Sequence, residues 1–206
     1  MFNYLNQNVM KSIIFLGALL MGLSFSTLSA QSLEPQERKT KFSIEIDPAT
    51  FAFGGYSAHL RIQPKSSDHL LLGMGIYAMD LPSVFVDINS KNAGRGWKTR
   101  INRGIGAFGE YFFGEVNKKF FVGSQVSTQE FLIEKQGVEG SQKFNNALLM
   151  GYGGYSIQPF SFPLYFKAWG GLGYTTKLTG ENVLEGETYH IAPLSVFATL
   201  HIGYTF

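Results

Sequence analysis

The last thirteen residues carry an apolar side chain at every second position: Leu194, Val196, Ala198, Leu200, Ile202, Tyr204 and Phe206. Successive side chains of a strand point to opposite faces, so this spacing builds a ribbon with one apolar face and one mixed face. The same period recurs upstream. Phe42, Ile44 and Ile46 alternate with Ser43, Glu45 and Asp47, and Tyr56, Ala58, Leu60 and Ile62 alternate with Ser57, His59, Arg61 and Gln63. Leu70, Leu72, Met74, Ile76 and Ala78 oppose Gly73, Gly75 and Tyr77, while Ile101, Ile105, Ala107, Tyr111 and Phe113 oppose Asn102, Gly104, Gly106 and Glu110. Phe120, Val122 and Val126 oppose Gly123, Gln125, Ser127 and Gln129; Leu164, Phe166, Ala168, Leu172 and Tyr174 oppose Lys167, Trp169, Gly171 and Gly173. Phe144–Ile157 reads as a further strand whose facing the alternation leaves open.

Eight such ribbons share residues 41–206, or about 21 residues for each strand and its connection, which suits spans of about 10 residues. Pro64–Asp68, Glu115–Lys118 and Gln158–Pro163 are short and turn-like, whereas Leu81–Lys98, Gln136–Gln142 and Gly180–His190 are longer or polar. Alternating short and long connections predict an all-β, eight-stranded antiparallel up-and-down barrel that crosses a membrane with its strands. Closure also removes exposed sheet edges. The composition agrees. Charged residues are 16 % of the 206, aromatics 15 %, and 24 are Gly, a profile that argues against disorder. The net charge of +2 gives no reason to expect a nucleic-acid partner. With no Cys, thiolate metal sites, thiol nucleophiles and disulfides are excluded.

The first thirty residues read as an address. Lys11 precedes the uncharged run Ile13–Leu23, and a small-residue stretch ends at Ala30. That order is the pattern of a secretory signal peptide, and the run falls short of the roughly 20 apolar residues of a spanning helix. Residues 1–30 are therefore expected to be a cleaved signal, with Met10 as the natural start. Residues 31–40 form a polar leader, and 41–206 form the barrel.

The ending Leu194–Phe206 resembles the terminal strand of bacterial outer-membrane barrels, which close on an aromatic residue preceded by alternate apolar ones. In length and strand number the chain resembles the small eight-stranded group typified by the OmpA membrane domain, OmpX and OmpW. The resemblance implies a monomer in the outer membrane of a Gram-negative bacterium. Leu200, Ile202, Tyr204 and Phe206 would be the signal read by the barrel-insertion machinery. Outer-membrane lipid and lipopolysaccharide are the implied partners, and no cofactor or metal is expected. The role it suggests is structural or interactive within the cell envelope.

With the apolar set facing lipid, Glu45, Asp47, His59, Arg61, Glu110, Lys167 and His201 point into the lumen. An eight-stranded interior is just wide enough for side chains to fill, and charges there need partners. Three readings follow: a salt-bridge plug, a narrow channel for small or amphipathic solutes, or a catalytic cluster. The last would be a lipid A deacylase or acyltransferase using Ser57, His59 and Asp47. Ser57 and His59 stand about 7 Å apart by strand rise, and no motif of such enzymes is present. Gly104-Ile105-Gly106-Ala107-Phe108-Gly109 matches a dinucleotide fingerprint in letters only. It continues as a strand instead of opening a helix, so its glycines are expected to make room in the lumen. The histidines lack metal-ligand spacing.

Two surface features complete the reading. Tyr111, Phe113, Phe120, Phe166, Tyr204 and Phe206 fall at the short-turn ends of their strands, where amphipathic rings suit a membrane interface. The Leu81–Lys98 loop has an apolar tip, Val84-Phe85-Val86, and a basic base. Lys91, Arg95, Trp97 and Lys98 are the candidate contacts for lipid phosphates or an external partner.

Overall fold

The computed structural model describes residues 38–206, so the expected signal peptide and most of the leader lie outside the described residues. Eight strands close into one antiparallel barrel: β1 (Lys41–Ile46), β2 (Tyr56–Gln63), β3 (Leu70–Asp80), β4 (Trp97–Phe112), β5 (Lys119–Lys135), β6 (Gln142–Ile157), β7 (Leu164–Gly180) and β10 (Leu194–Thr205). Each strand pairs with its neighbours in sequence, and β1 meets β10 to close the ring. A two-residue hairpin, β8 (Val183–Leu184) with β9 (Glu187–Thr188), lies between β7 and β10. The expected fold class is the observed one.

The three short turns and both ends of the barrel chain gather at one rim, the turn end. The opposite rim, the loop end, carries a helix at Pro48–Ala52, a one-turn helix at Ser83–Val86 and the β8–β9 hairpin. Wall height is uneven. β1 and β2 have six and eight residues, whereas β4 to β7 have sixteen or seventeen. The β1–β10 seam is held by four residue pairs and the β4–β5 ladder by fifteen.

Facing follows the alternation. Leu60, Leu172, Leu194 and Phe206 are 66 to 70 % exposed on the outside, while Glu45, Lys167 and Arg61 on the inside are 0 to 2 % exposed. β6 resolves with Phe144, Asn146, Leu148, Met150 and Tyr152 inward and Leu149, Tyr155 and Ile157 outward. Two positions depart from the sequence reading. Ile101, placed with the outer set, is buried inside with Trp97 and Phe131. The registers on both sides of β4 slip by one residue at Asn102, so a bulge there inverts the parity of everything before it. Ala78, also placed outside, is fully buried, and Gly55 lies close against its backbone.

Buried apolar side chains gather inside the barrel in two clusters. A cluster of Val86, Trp97, Ile101, Phe131, Ile133, Phe144, Leu184 and Tyr189 occupies the loop end. Leu71, Phe112 and Phe121 pack near the turn end and continue through Leu148, Met150 and Tyr152. Glycines admit the large inward groups. A methyl carbon on Gly73, Gly75 or Gly203 would fall 2.4, 2.9 or 2.2 Å from Arg61, His59 or Tyr165, the register partner on the adjacent strand. Gly104 of the fingerprint-like run does the same for Tyr77, at 2.4 Å.

A buried ionic cluster as the candidate functional site

Glu45 leaves β1 inward and sits at the centre of a charge cluster. Its Oε2 accepts from Arg61 Nε at 3.0 Å, Arg61 Nη2 at 2.9 Å and His201 Nδ1 at 3.1 Å. Its Oε1 accepts from Lys167 Nζ at 2.6 Å and from the Tyr165 hydroxyl at 2.8 Å. Glu110, on β4, takes a second bond from Lys167 at 2.8 Å and one from the Tyr152 hydroxyl at 2.9 Å, and lies 3.6 Å from Arg61 Nη2. Two acidic side chains thus meet a guanidinium and an amine in one buried cluster.

Burial decides what such a cluster costs. The side chains of Arg61, Lys167, Glu45 and Glu110 are at most 1 % exposed. Charges that far from water cost several kcal/mol each unless partners surround them. Here the lone pairs of Glu45 are shared among four residues from three other strands. The Arg61 guanidinium also lies 4.4 Å above the Phe108 ring, whose face attracts it. Beside the ions, Tyr77, Gln125, Ser127 and Gln129 form a neutral hydrogen-bonded group, with the Gln129 amide donating to Tyr77 Oη at 2.9 Å.

Of the seven lumen candidates, Glu45, Arg61, Glu110, Lys167 and His201 meet directly. His59 is buried between Phe108 and His201, its ring 5.1 and 5.0 Å from theirs, and its Nδ1 has no partner among the described residues. Asp47 stands at the edge of the cluster, its Oδ2 3.9 Å from His201 Nε2. It caps the helix Pro48–Ala52, accepting from the Ala49 amide at 2.9 Å and the Thr199 hydroxyl at 2.8 Å. A carboxylate at a helix start is better used on free amides than on a distant cation. Tyr152 and Tyr165 were missed. Tyr165 lies two residues before Lys167 and so shares its face, a signal present in the letters; Tyr152 depended on the open facing of β6.

The suggested catalytic group does not assemble. The Ser57 hydroxyl is engaged by the Asp47 backbone, accepting from its amide at 2.6 Å. Against the reading of the histidine spacing, folding brings ligand atoms of Glu45, His59 and His201 within 4.8 Å of one another. Both Glu45 oxygens are already engaged by Arg61 and Lys167, so a dication there would have to displace them and would face the Arg61 guanidinium. The set fits a metal poorly.

The loop candidates divide. Lys91, Arg95 and Lys98 are exposed, although Lys98 already belongs to β4. Trp97 is not a surface contact. It is 6 % exposed and packs edge-on against Tyr189, because the bulge at Asn102 turns its position inward. The expected apolar tip is only partly folded in: Val86 is buried and Phe85 stacks on Phe197, while Val84 stays exposed. Buried Asn92 ties this loop to the hairpin segment, donating to the His190 carbonyl at 2.7 Å and accepting from its amide at 2.9 Å.

The chain is similar to several solved barrels. With the N-terminal β-barrel domain of Pseudomonas aeruginosa OprF it shares 13 % identity at a TM-score of 0.41, over 82 % of this chain and 98 % of that one. Neisserial surface protein A matches at 11 % and 0.37, over 81 % and 92 %. A major outer membrane protein from Thermus thermophilus matches at 12 % and 0.40, over 82 % and 100 %. No family model and no curated protein matches the sequence.

Proposed function

We propose that the chain is an outer-membrane barrel with a structural or interaction role in the cell envelope, acting as a monomer whose lumen is plugged. The observation that carries this reading is the inversion of the usual protein pattern. Apolar side chains cover the outside of a closed barrel, and a buried ionic cluster occupies its centre. In water that outer surface would be a continuous apolar patch of a size that soluble monomers avoid. Against acyl chains it is the stable arrangement, with closure satisfying the backbone of every spanning strand.

The aromatic residues support the same placement. Phe42, Tyr111, Phe113, Phe120, Tyr155, Phe160, Phe162, Tyr204 and Phe206 are all exposed at the turn end, several in edge-on pairs such as Phe120 with Tyr155 at 4.8 Å. A ring of this kind suits headgroup depth. The turn end would face the periplasm, and Leu200, Ile202, Tyr204 and Phe206 would serve the insertion machinery. Lys91, Arg95 and Lys98 stand at the opposite rim, where lipopolysaccharide phosphates would lie. Reversing the three to Glu is expected to weaken binding to lipopolysaccharide vesicles; undiminished binding contradicts that contact. For the plug, purified protein in planar bilayers is expected to give no discrete conductance steps. Steady single-channel steps would favour a channel instead.

A further inference from the structure

The barrel wall is lowest at β1 and β2, and the helix Pro48–Ala52 stands on that low section. At a rise of 3.3 Å and the usual barrel tilt, each residue adds about 2.5 Å of height. The six residues of β1 therefore reach about 15 Å, short of an apolar band of about 25 Å. On the taller side, the polar exterior begins at the Arg100–Asp80 pair and at Glu130 with Arg103 and Lys143. Arg100 also fixes the chain that follows the helix. Both of its terminal nitrogens donate to the Gly54 carbonyl at 3.1 Å, and the Phe53 carbonyl accepts from the Asp80 amide at 2.8 Å. Phe53 is thereby pinned at the level where the outer wall turns from apolar to charged.

The helix has two unlike sides. Thr50 is buried, with its hydroxyl bonded to the Asp47 carbonyl at 2.7 Å, while Phe51 and Phe53 are half exposed. They continue the outward series of Ile44, Ile46 and Tyr56, which are also exposed. A water-facing cap would have no use for two uncovered phenylalanines next to an apolar wall. We infer that the helix Pro48–Ala52 lies in the bilayer interface of the outer leaflet, with Phe51 and Phe53 among the upper acyl chains. It completes the lipid-facing band where β1 and β2 are too short to do so. This rests on the membrane placement proposed above and adds that a connecting segment, not only strands, meets lipid.

Because the chain has no cysteine, single nitroxide labels can be placed cleanly. Phe51→Cys, Phe53→Cys, Leu60→Cys and Glu139→Cys would each be labelled and reconstituted in phosphatidylethanolamine–phosphatidylglycerol vesicles. Collision with oxygen and with a water-soluble nickel chelate is then measured. Labels at 51 and 53 are expected to resemble Leu60 on the barrel wall more than position 139, being open to oxygen and shielded from nickel. Each position is read separately, so a folding failure at one leaves the other. If both match the loop position 139 while 60 remains lipid-facing, the inference is overturned and the barrel reading survives. If 60 itself is open to nickel, both fall.

Discussion

Glu45 is where sequence, packing and closure of the barrel meet in one side chain. It accepts from Arg61, Lys167, Tyr165 and His201, whereas Glu110 accepts from Lys167 and Tyr152 with Arg61 further off. Glu45→Gln should therefore lower the temperature of the folded-to-unfolded gel shift more than Glu110→Gln does; the reverse order would contradict the assigned centre. Lys167→Met leaves two buried carboxylates sharing one cation, a loss of about 3–5 kcal/mol by analogy with broken buried pairs. The glycines give a contrasting pair. Gly203→Ala drives a methyl into Tyr165 and should cost about 1–3 kcal/mol, while Gly151, with open space around its Cα, should accept Ala with little change. Equal melting of the two variants would mean that room for Tyr165 is not what Gly203 supplies.

Among the barrel's ladders, the seam between β1 and β10 has the fewest backbone pairs, yet it lies next to the ionic cluster. Glu45 on β1 is bonded to β2, β7 and β10, so side chains reinforce the place where the ladder is shortest. Amide exchange is expected to be faster along this seam than in β4 to β7, and to accelerate there first in Glu45→Gln. The alternation made strands and facing legible wherever one face was uniformly apolar, as in β10. It failed where both faces are apolar, in β6, and where one inserted residue reversed the parity, at Asn102. A bulge has no letter of its own; only the registers of β3 and β5 reveal it. The loop tip misled for a related reason, since Val86 and Trp97 look like a sticky surface until the mouth they fill is known. At that mouth, Lys135 forms an ion pair and hydrogen bond with Glu187, which holds the Glu187 carboxyl below its ordinary value. A lowered folded value means that this tether is complete above the ordinary glutamate range and is lost as pH falls through the lowered value. Trypsin cleavage at Lys91 and Arg95 is expected to speed up in Asn92→Ala, whose loop has lost its bonds to His190; unchanged cleavage would argue against that clamp.

For the molecule as a whole, the arrangement depends on which side of the wall is dry. An exterior of leucine, isoleucine and phenylalanine around a centre of paired ions is stable only if lipid or its substitute covers the outside. Refolding of residues 31–206 in buffer with and without detergent, followed by circular dichroism, sizing and electrophoresis before and after boiling, tests this most directly. A monomeric β-rich species with a heat-sensitive shift in mobility is expected only when detergent is present. A compact, cooperatively melting monomer in plain buffer would contradict the inverted arrangement and the membrane placement drawn from it.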